Sequence, residues 1–528
     1  MASATANAAE SVYVVRNDVS PEAITSSLQA LLPSRLRSIG RHRFTLLDTF
    51  DGRVARAGAR LTSSSRHDTI TWSWQPRGQG SRLEARATHP MNFAWDLPDG
   101  PLQQLLASVV GVRRLLSQAE AEGYGSLLEV LDERTKTVAR VRIESGRARL
   151  PQSRDGWRPL PTTVTVTPLR GFREEYERVV PVIESRPGIE PCPVGLEGVV
   201  LQAIGAPEPC DASLRRLEVA PSVPAETGVR QIYQALLGIL LANEPGLRAN
   251  LDAEFLHDFR VAVRRTRSLL GQVRQVFPAS AVEHFATEFS WLGRLTGPPR
   301  DMDVLVLALR QHPAGLPVDD LTVLAASLGD VQQQEHRRLV EALDSDRYRR
   351  LISEWQAFLQ QPTGSETAPP NAARPLVRVV GRRAWVLTRK IMRIASNVDT
   401  GTEPERLHHL RILTKKLRYL VDVTPSFYEA ADRERILGAL KKLQRLLGDF
   451  NDAEIQAHRL LDCGRALGEA GGSTGALLAF GRLAERSCHR GERLRAQVAG
   501  ELARFCTRDL RAACRRAFKR AAEPGKVR

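Results

Sequence analysis

The sequence predicts an α+β multidomain chain, with a strand-rich first part followed by an all-α second part made of two related halves. Three observations lead there. At 528 residues the chain exceeds one ordinary domain. Near "EVAPSVPAET" (218–227) strand-like patterning gives way to helical periodicity. Beyond that point the chain repeats itself at a constant offset of 151 residues, which carries Leu256 to Leu407.

In the first part, "SVYVVRNDV", "RFTLLDTF", "TITWSW", "KTVARVRIES" and "TTVTVTP" are short and rich in β-branched and aromatic residues, and read as strands. Trp72 and Trp74 share a face at strand spacing. "PEAITSSLQALL", "PLQQLLASVVGV" and "FREEYERVVPVIES" read as helices. The pattern suits an antiparallel sheet or small barrel with helices attached. In the second part strand signals vanish, and a break at "QPTGSETAPPNAARP" (361–375) separates the two halves.

The repeat is sequence-specific. The offset places Leu256, His257, Arg260, Arg264, Arg265 and Arg267 on Leu407, His408, Arg411, Lys415, Lys416 and Arg418. It also carries Leu292, Arg294, Leu295, Gly297 and Asp301 onto Leu443, Arg445, Leu446, Gly448 and Asp452. Two separated segments in one register mark a duplicated helical unit, whose copies should be related by an approximate two-fold axis.

Charge points to a polyanionic partner. The chain carries a net +16 with a pI near 10.1. Through residue 220 there are 28 Lys+Arg against 25 Asp+Glu; the totals of 76 and 60 leave 48 against 35 beyond it. The second part therefore holds most of the excess. With 5% aromatic residues and no aromatic-interleaved basic strand, nucleic acid is expected only as a nonspecific polyanion. The cysteines at 192, 210, 463, 488, 506 and 514 show no ligand spacing and read as free thiols of a reducing compartment. The first residues carry no secretory signal pattern, and no apolar run reaches membrane-spanning length. A cytoplasmic protein, with no membrane partner and no cofactor, is expected.

The basic helices give the charge a shape. His257, Arg260, Arg264 and Arg267 lie at +0, +3, +7 and +10, within an arc of about 80° on a helix, and Arg265 widens the stripe. His408, Arg411, Lys415 and Arg418 repeat it, with Lys416 beside them. Like charges at helical spacing repel. Guanidinium forks and ammonium groups so arranged suit phosphate oxygens. Taken alone, either helix would read as a solvated or salt-bridged face; the repetition favours a shared anion site. Arg294, Lys441, Lys442 and Arg445 could extend the basic surface, as could Arg382, Arg389 and Arg393. Asp301 and Asp452 suit helix capping or pairing with arginines better than metal binding.

"LHDFRVAVRRTRSLL" with "WLGRLTGPPRDMDVLVLAL", and "LHHLRILTKKLRYLV" with "LQRLLGDFNDAEIQAHRL", resemble the two halves of the CHAD family, the conserved-histidine α-helical domain, over about 225–515. The resemblance implies two pseudo-two-fold-related four-helix bundles around a basic channel, inorganic polyphosphate as ligand, and association with polyphosphate granules. It assigns polyphosphate binding to His257, Arg260, Arg264, Arg265, Arg267 and Arg294. In the second half it assigns His408, Arg411, Lys415, Lys416, Arg418 and Arg445, with Lys441 alongside. The implied domains are 11–215 and 225–515, with halves at about 225–360 and 375–515 and a basic tail at 516–528.

CHAD domains often follow a CYTH domain, a triphosphate tunnel barrel, and "LLDTFDGRVARAGARL" (46–61) is similar to that family's Asp-Thr strand and its arginine strand. The resemblance implies a β-barrel-like first domain. The family's acidic signature should fall near "VYVVR" (12–16) and its later Glu-x-Glu near "TVTVTPL" (163–169), and neither stretch carries an acid. Without clustered carboxylates to hold a divalent metal, the domain is expected to be degenerate and non-catalytic, with no catalytic or metal-ligating residue. The alternative functions are a metal-dependent triphosphatase acting through that barrel, or generic polyanion or nucleic-acid binding.

Overall fold

The computed structural model describes residues 10–519 except 17, 67–68, 78–81, 152–155, 170, 211–216, 312–317, 362–368, 399–401, 470 and 472–473. The chain divides into two compact units, Met1–Asp211 and Ala212–Arg528.

The first unit is one antiparallel sheet in the order β5-β4-β3-β2-β6-β7-β8-β1-β9. Its strands are β1 (Ser11–Val15), β2 (Ser34–Asp48), β3 (Ala59–Arg66), β4 (Thr69–Pro76), β5 (Leu83–Ala87), β6 (Leu116–Leu131), β7 (Thr137–Arg149), β8 (Arg158–Pro168) and β9 (Ile189–Pro191). Among the described residues β5 and β9 end the order without pairing with each other, so the sheet is open and the expected barrel-like closure is corrected. The strands and helices read from residue pattern in this part are present; the arginine strand implied within 46–61 is β3, which begins only at Ala59, and β5, β6 and β9 are additional, as are the helices Arg53–Arg56 and Gly195–Ile204.

Helices cover the sheet where its apolar residues alternate inward. In α1 (Pro21–Leu31), Ser20 accepts from the Ala23 N–H, Pro21 supplies the first turn, and Ile24 and Leu28 point inward. They meet Leu128, Val141, Ile143 and Val164, together with Tyr176 and Ile183 of α4 (Arg173–Glu184). Trp72 and Trp74 are both buried, against Leu102 and Leu106 of α3 (Pro101–Val110). A short α2 (Arg53–Arg56) follows β2, and α5 (Gly195–Ile204) packs Val200 and Ile204 on Ala119 and Ala121 of β6. β3 pairs with β2 only at Thr45–Leu47, so Ser34–Phe44 keeps one edge unpaired among the described residues.

The second unit is helical: α6 (Ala225–Arg248), α7 (Ala253–Gln272), α8 (Ala279–Leu295), α9 (Gly297–Gln311), α10 (Val318–Leu343), α11 (Asp346–Gln360), α12 (Leu376–Ala395), α13 (Pro404–Asp422), α14 (Ala430–Glu469), α15 (Thr474–Phe505) and α16 (Arg508–Cys514). The repeat is visible in the helix starts: 225 and 376, 253 and 404, and 279 and 430 are each 151 apart. The copies then diverge. Pro298 and Pro299 lack N–H donors, and α8 stops before them at Leu295. The matching stretch, "LGDFN", has no proline, and α14 runs through it as one 40-residue helix, about 60 Å long.

In the first copy Trp355 of α11 packs against Tyr233, Phe285 and Phe289 at centroid distances of 4.9, 4.6 and 5.1 Å. A further cluster draws on both copies, joining Met302, Leu305 and Leu328 to Leu460, Phe480 and Ala484. Residues 516–519, expected as the start of a tail, lie in a π-helical turn, where Phe518 is buried and Arg516 grips Asp432 at 2.5 and 2.9 Å. The remaining tail positions, 520–528, lie outside the described residues. No helix among the described residues is long and apolar enough to cross a membrane.

The close packing of α6 on α7 depends on Gly246, where an added Cβ would meet the Phe255 ring. Gly246→Ala is expected to destabilise the helical unit by about 1–3 kcal/mol, read as a lower denaturant midpoint at unchanged slope.

Candidate functional site

The two basic helices pack against each other, so each copy contributes one stripe to a common place. Asp252 caps α7 by accepting from the Glu254 and Phe255 N–H groups at 2.8 and 3.2 Å, and Pro404 opens α13. Phe255, Phe259, Val263 and Leu270 bury one side of α7; Leu410, Leu413, Leu417 and Leu420 do the same for α13. This burial fixes where the basic side chains point.

At the centre lie Arg264 and Arg265 of α7 with Arg411, Lys415 and Arg418 of α13, each acting electrostatically on others of the group. The Arg264 guanidinium sits 5.7 Å from the centre of the Tyr419 ring, a contact between the two copies. Lys415 is the most perturbed. Burial, then repulsion from Arg411 and Arg264, pushes its ammonium down to about 7, with Asp452 opposing. Its side chain makes no hydrogen bond or ion pair among the described residues. Burial likewise lowers Arg411, against Asp452, and Arg265, against Asp422 and Tyr419.

Counter-charge is sparse. Asp452 stands 3.6 Å from Arg411, Asp422 takes Arg418 at 3.1 Å, and Asp301 stands 3.6 Å from Arg459. Burial raises Asp301, with Arg260 and Arg459 opposing. Asp301 and Asp452 thus pair with arginines, the second of the two roles expected for them, and both lie within helices rather than at caps. Among the described residues, the buried Nε–H groups of Arg264 and Arg411 have no hydrogen-bond partner. Buried donors of this kind are rare, and a charged one is costly to leave unmet.

The other predicted residues divide by position. Arg260 donates to the Gly293 carbonyl at 3.1 Å and to Thr296 Oγ1 at 3.2 Å, tying α7 to the negative end of α8. Arg267 and Arg294 both reach Ser290 Oγ, at 3.1 and 3.4 Å, on an exposed face. Arg418 also donates to Gln444 Oε1 at 2.8 Å, joining α13 to α14. His257 is half-buried at the start of its stripe, whereas His408 is exposed, with Nδ1 3.3 Å from Asn451 Oδ1. Lys441 and Arg445 are exposed on α14. Lys416 turns from the centre toward Arg383, Lys390 and Arg274.

Residues 231–461 match the family model of the CHAD domain. The helical unit contains a CHAD domain. The match covers both basic helices, Asp301, Asp452 and Arg459. The chain is 25% identical over 327 residues to Uncharacterized protein MT2285 and to Uncharacterized protein Rv2226, both of Mycobacterium tuberculosis. The alignment covers 59% of this chain and 58% of each relative, so the chain spans less than two thirds of their length. The crystal structure of the CHAD domain from the plant Ricinus communis is similar at 25% identity and a TM-score of 0.47, over 54% of this chain and 94% of that one. PptA from Streptomyces chartreusis is similar at 16% identity and a TM-score of 0.40, over 53% and 99%.

Within the CHAD domain, sequence reasoning missed Tyr419 and Arg459. The offset maps Arg459 onto Ala308 and Tyr419 onto Ser268, so the repeat gave no signal for either. In the first unit it missed a Glu-x-Glu, at Glu120 and Glu122 on β6. Both carboxylates are held by arginines. Arg149 donates to Glu120 at 2.8 Å; Arg147 donates to Glu122 at 2.8 Å and Arg43 joins it. Burial alone would raise Glu122, but hydrogen bonds from Arg147 and Arg43 outweigh it and hold the carboxyl below its ordinary value. Asp48, of the Asp-Thr step, accepts from the backbone N–H groups of Thr49, Val54 and Ala55.

Proposed function

We propose that the CHAD domain binds inorganic polyphosphate at the place where α7 and α13 meet, and that the protein is a non-enzymatic polyphosphate binder of the cytoplasm and its polyphosphate granules. The observation that carries this reading is the convergence of Arg264, Arg265, Arg411, Lys415 and Arg418 around two buried, unmet guanidinium N–H groups. A chain of phosphates supplies the missing acceptors and relieves the mutual repulsion. The family match adds support, because the CHAD family is linked to polyphosphate binding in general. On this reading the two copies are pseudo-two-fold-related four-helix halves, each lending one basic helix.

A role without catalysis for the first unit rests on its acids. Glu120 and Glu122 are engaged by arginines, and Asp48 by backbone donors. The test is a titration of the full chain with long-chain polyphosphate, tripolyphosphate and charge-matched DNA across salt, with phosphate release followed in Mg²⁺. Polyphosphate should bind with log K falling linearly in log salt, DNA should compete weakly, and no phosphate should be released. Equal competition by DNA would mean a generic polyanion binder. Release abolished by changes in the first unit would mean a triphosphatase.

A further inference from the structure

Lys415 and Lys416 are consecutive, with Cα atoms about 3.8 Å apart, yet they face different surroundings. Lys416 lies among Arg383 and Lys390 of α12 and Arg274, which follows α7. His409, about two helical turns earlier on the same face of α13, lies near Lys390, Lys416 and His408. Among the described residues, no carboxylate is among the charges acting on Lys416, His409 or Arg383, and burial and these cations together hold Lys416 and His409 below their ordinary values.

The group is anchored. Arg383 Nε donates to Gln272 Oε1 at 2.7 Å, which fixes its guanidinium against the end of α7. Among the described residues its terminal nitrogens, and the ammonium groups of Lys390 and Lys416, make no hydrogen bond or ion pair. The copies differ here. At the positions of Arg383, Lys390 and His409 the first copy has Ile232, Ile239 and Asp258, and both isoleucines are buried. The basic character of α12 on this face is therefore not inherited from the shared repeat, and core packing does not require it.

We infer that the central site continues on one side only, into a second phosphate-binding subsite formed by Arg274, Arg383, Lys390, His409 and Lys416, which takes further units of the same polyphosphate chain. The inference rests on the polyphosphate reading above. It makes the site longer than its two-fold repeat implies, and gives the bound polymer one preferred exit.

The test compares the full chain with an Arg274→Gln/Arg383→Gln/Lys390→Gln variant, and with Lys390→Gln alone as an exposed change that leaves the Gln272 contact intact. Tripolyphosphate, short enough for the centre, should bind the variants within about twofold of the unaltered chain. Long-chain polyphosphate should lose roughly tenfold or more in the triple variant and a smaller factor in Lys390→Gln. The slope of log K against log salt should become shallower by about 2 for three lost contacts. Unchanged long-chain affinity and slope, or an equal loss for both ligands, would overturn the subsite and leave the central reading standing. If the unaltered chain bound neither ligand, both readings would fall.

Discussion

Arg264→Glu combined with Lys415→Glu is expected to reduce polyphosphate affinity at least a hundredfold at moderate salt. Both side chains lie in the central group, one from each copy, and losing one partner of a desolvated charge pair alone costs about 2–5 kcal/mol. Reversal adds repulsion against the polymer. The usual objection, that a buried double change unfolds the protein, is met by the electrostatics. New carboxylates at 264 and 415 would face Arg265, Arg411 and Arg418 in place of two more cations. The ligand-free variant should therefore melt no lower than the unaltered chain. An affinity within threefold of the unaltered chain, by titration on a folded sample, would show that the polymer binds elsewhere.

Polyphosphate binding should also weaken as pH rises through 7. Free Lys415 titrates at about 7, against an ordinary value of 10.5, while a bound polyanion favours its charged form. Binding above pH 7 then takes up a proton, and affinity falls by up to about tenfold per pH unit until the bound-state value is reached. The internal phosphates of a long chain stay ionised over this range. Lys415→Arg, which does not titrate there, should bind with a flatter pH profile. An unaltered profile in that variant would remove Lys415 from the site. Stability has its own sign. A folded-state value below the unfolded one means that the unfolded chain holds more protons between about 7 and 10.5, so this residue's penalty shrinks as pH rises. Lys415→Met should accordingly raise the melting temperature at pH 7, and by less at pH 10.

What could be read in advance followed from local pattern and repetition. Identical register in two segments fixed the duplicated helices and placed Arg264 and Lys415 at matching positions. What could not be read depends on neighbours distant in sequence. Lys416 and Arg265 occupy the same position in their copies. One faces Arg383 and Lys390, however, while the other faces Asp422 and Arg418, because the helices around them differ. Arg260 belongs to the stripe by spacing, yet its guanidinium is held by the end of α8. β6, "LSQAEAEGYGSLLEVL", is rich in residues that favour helix, and becomes a strand through pairing with β2 on one side and β7 on the other. The proline pair that splits α8 from α9 was visible, but the uninterrupted α14 is the absence of a breaker and carries no mark of its own.

The unpaired stretch of β2 bears on how copies of this protein behave in a crowded solution. A free edge offers a row of backbone donors and acceptors to any other extended chain, and two such edges can zip into a shared sheet. Arg35, Arg37, Arg41 and Arg43 are all exposed along Ser34–Phe44. Bringing two of these edges to ladder distance, about 4.8 Å, would stack guanidinium against guanidinium. Glu129 and Glu122 offset Arg37 and Arg43 in part, and the remaining repulsion, with Arg35 and Arg41, would oppose such pairing where salt is low. Screening ions, or a concentrated polyanion, lower that barrier, so the same surroundings that would occupy the helical unit would also loosen the colloidal protection of the sheet.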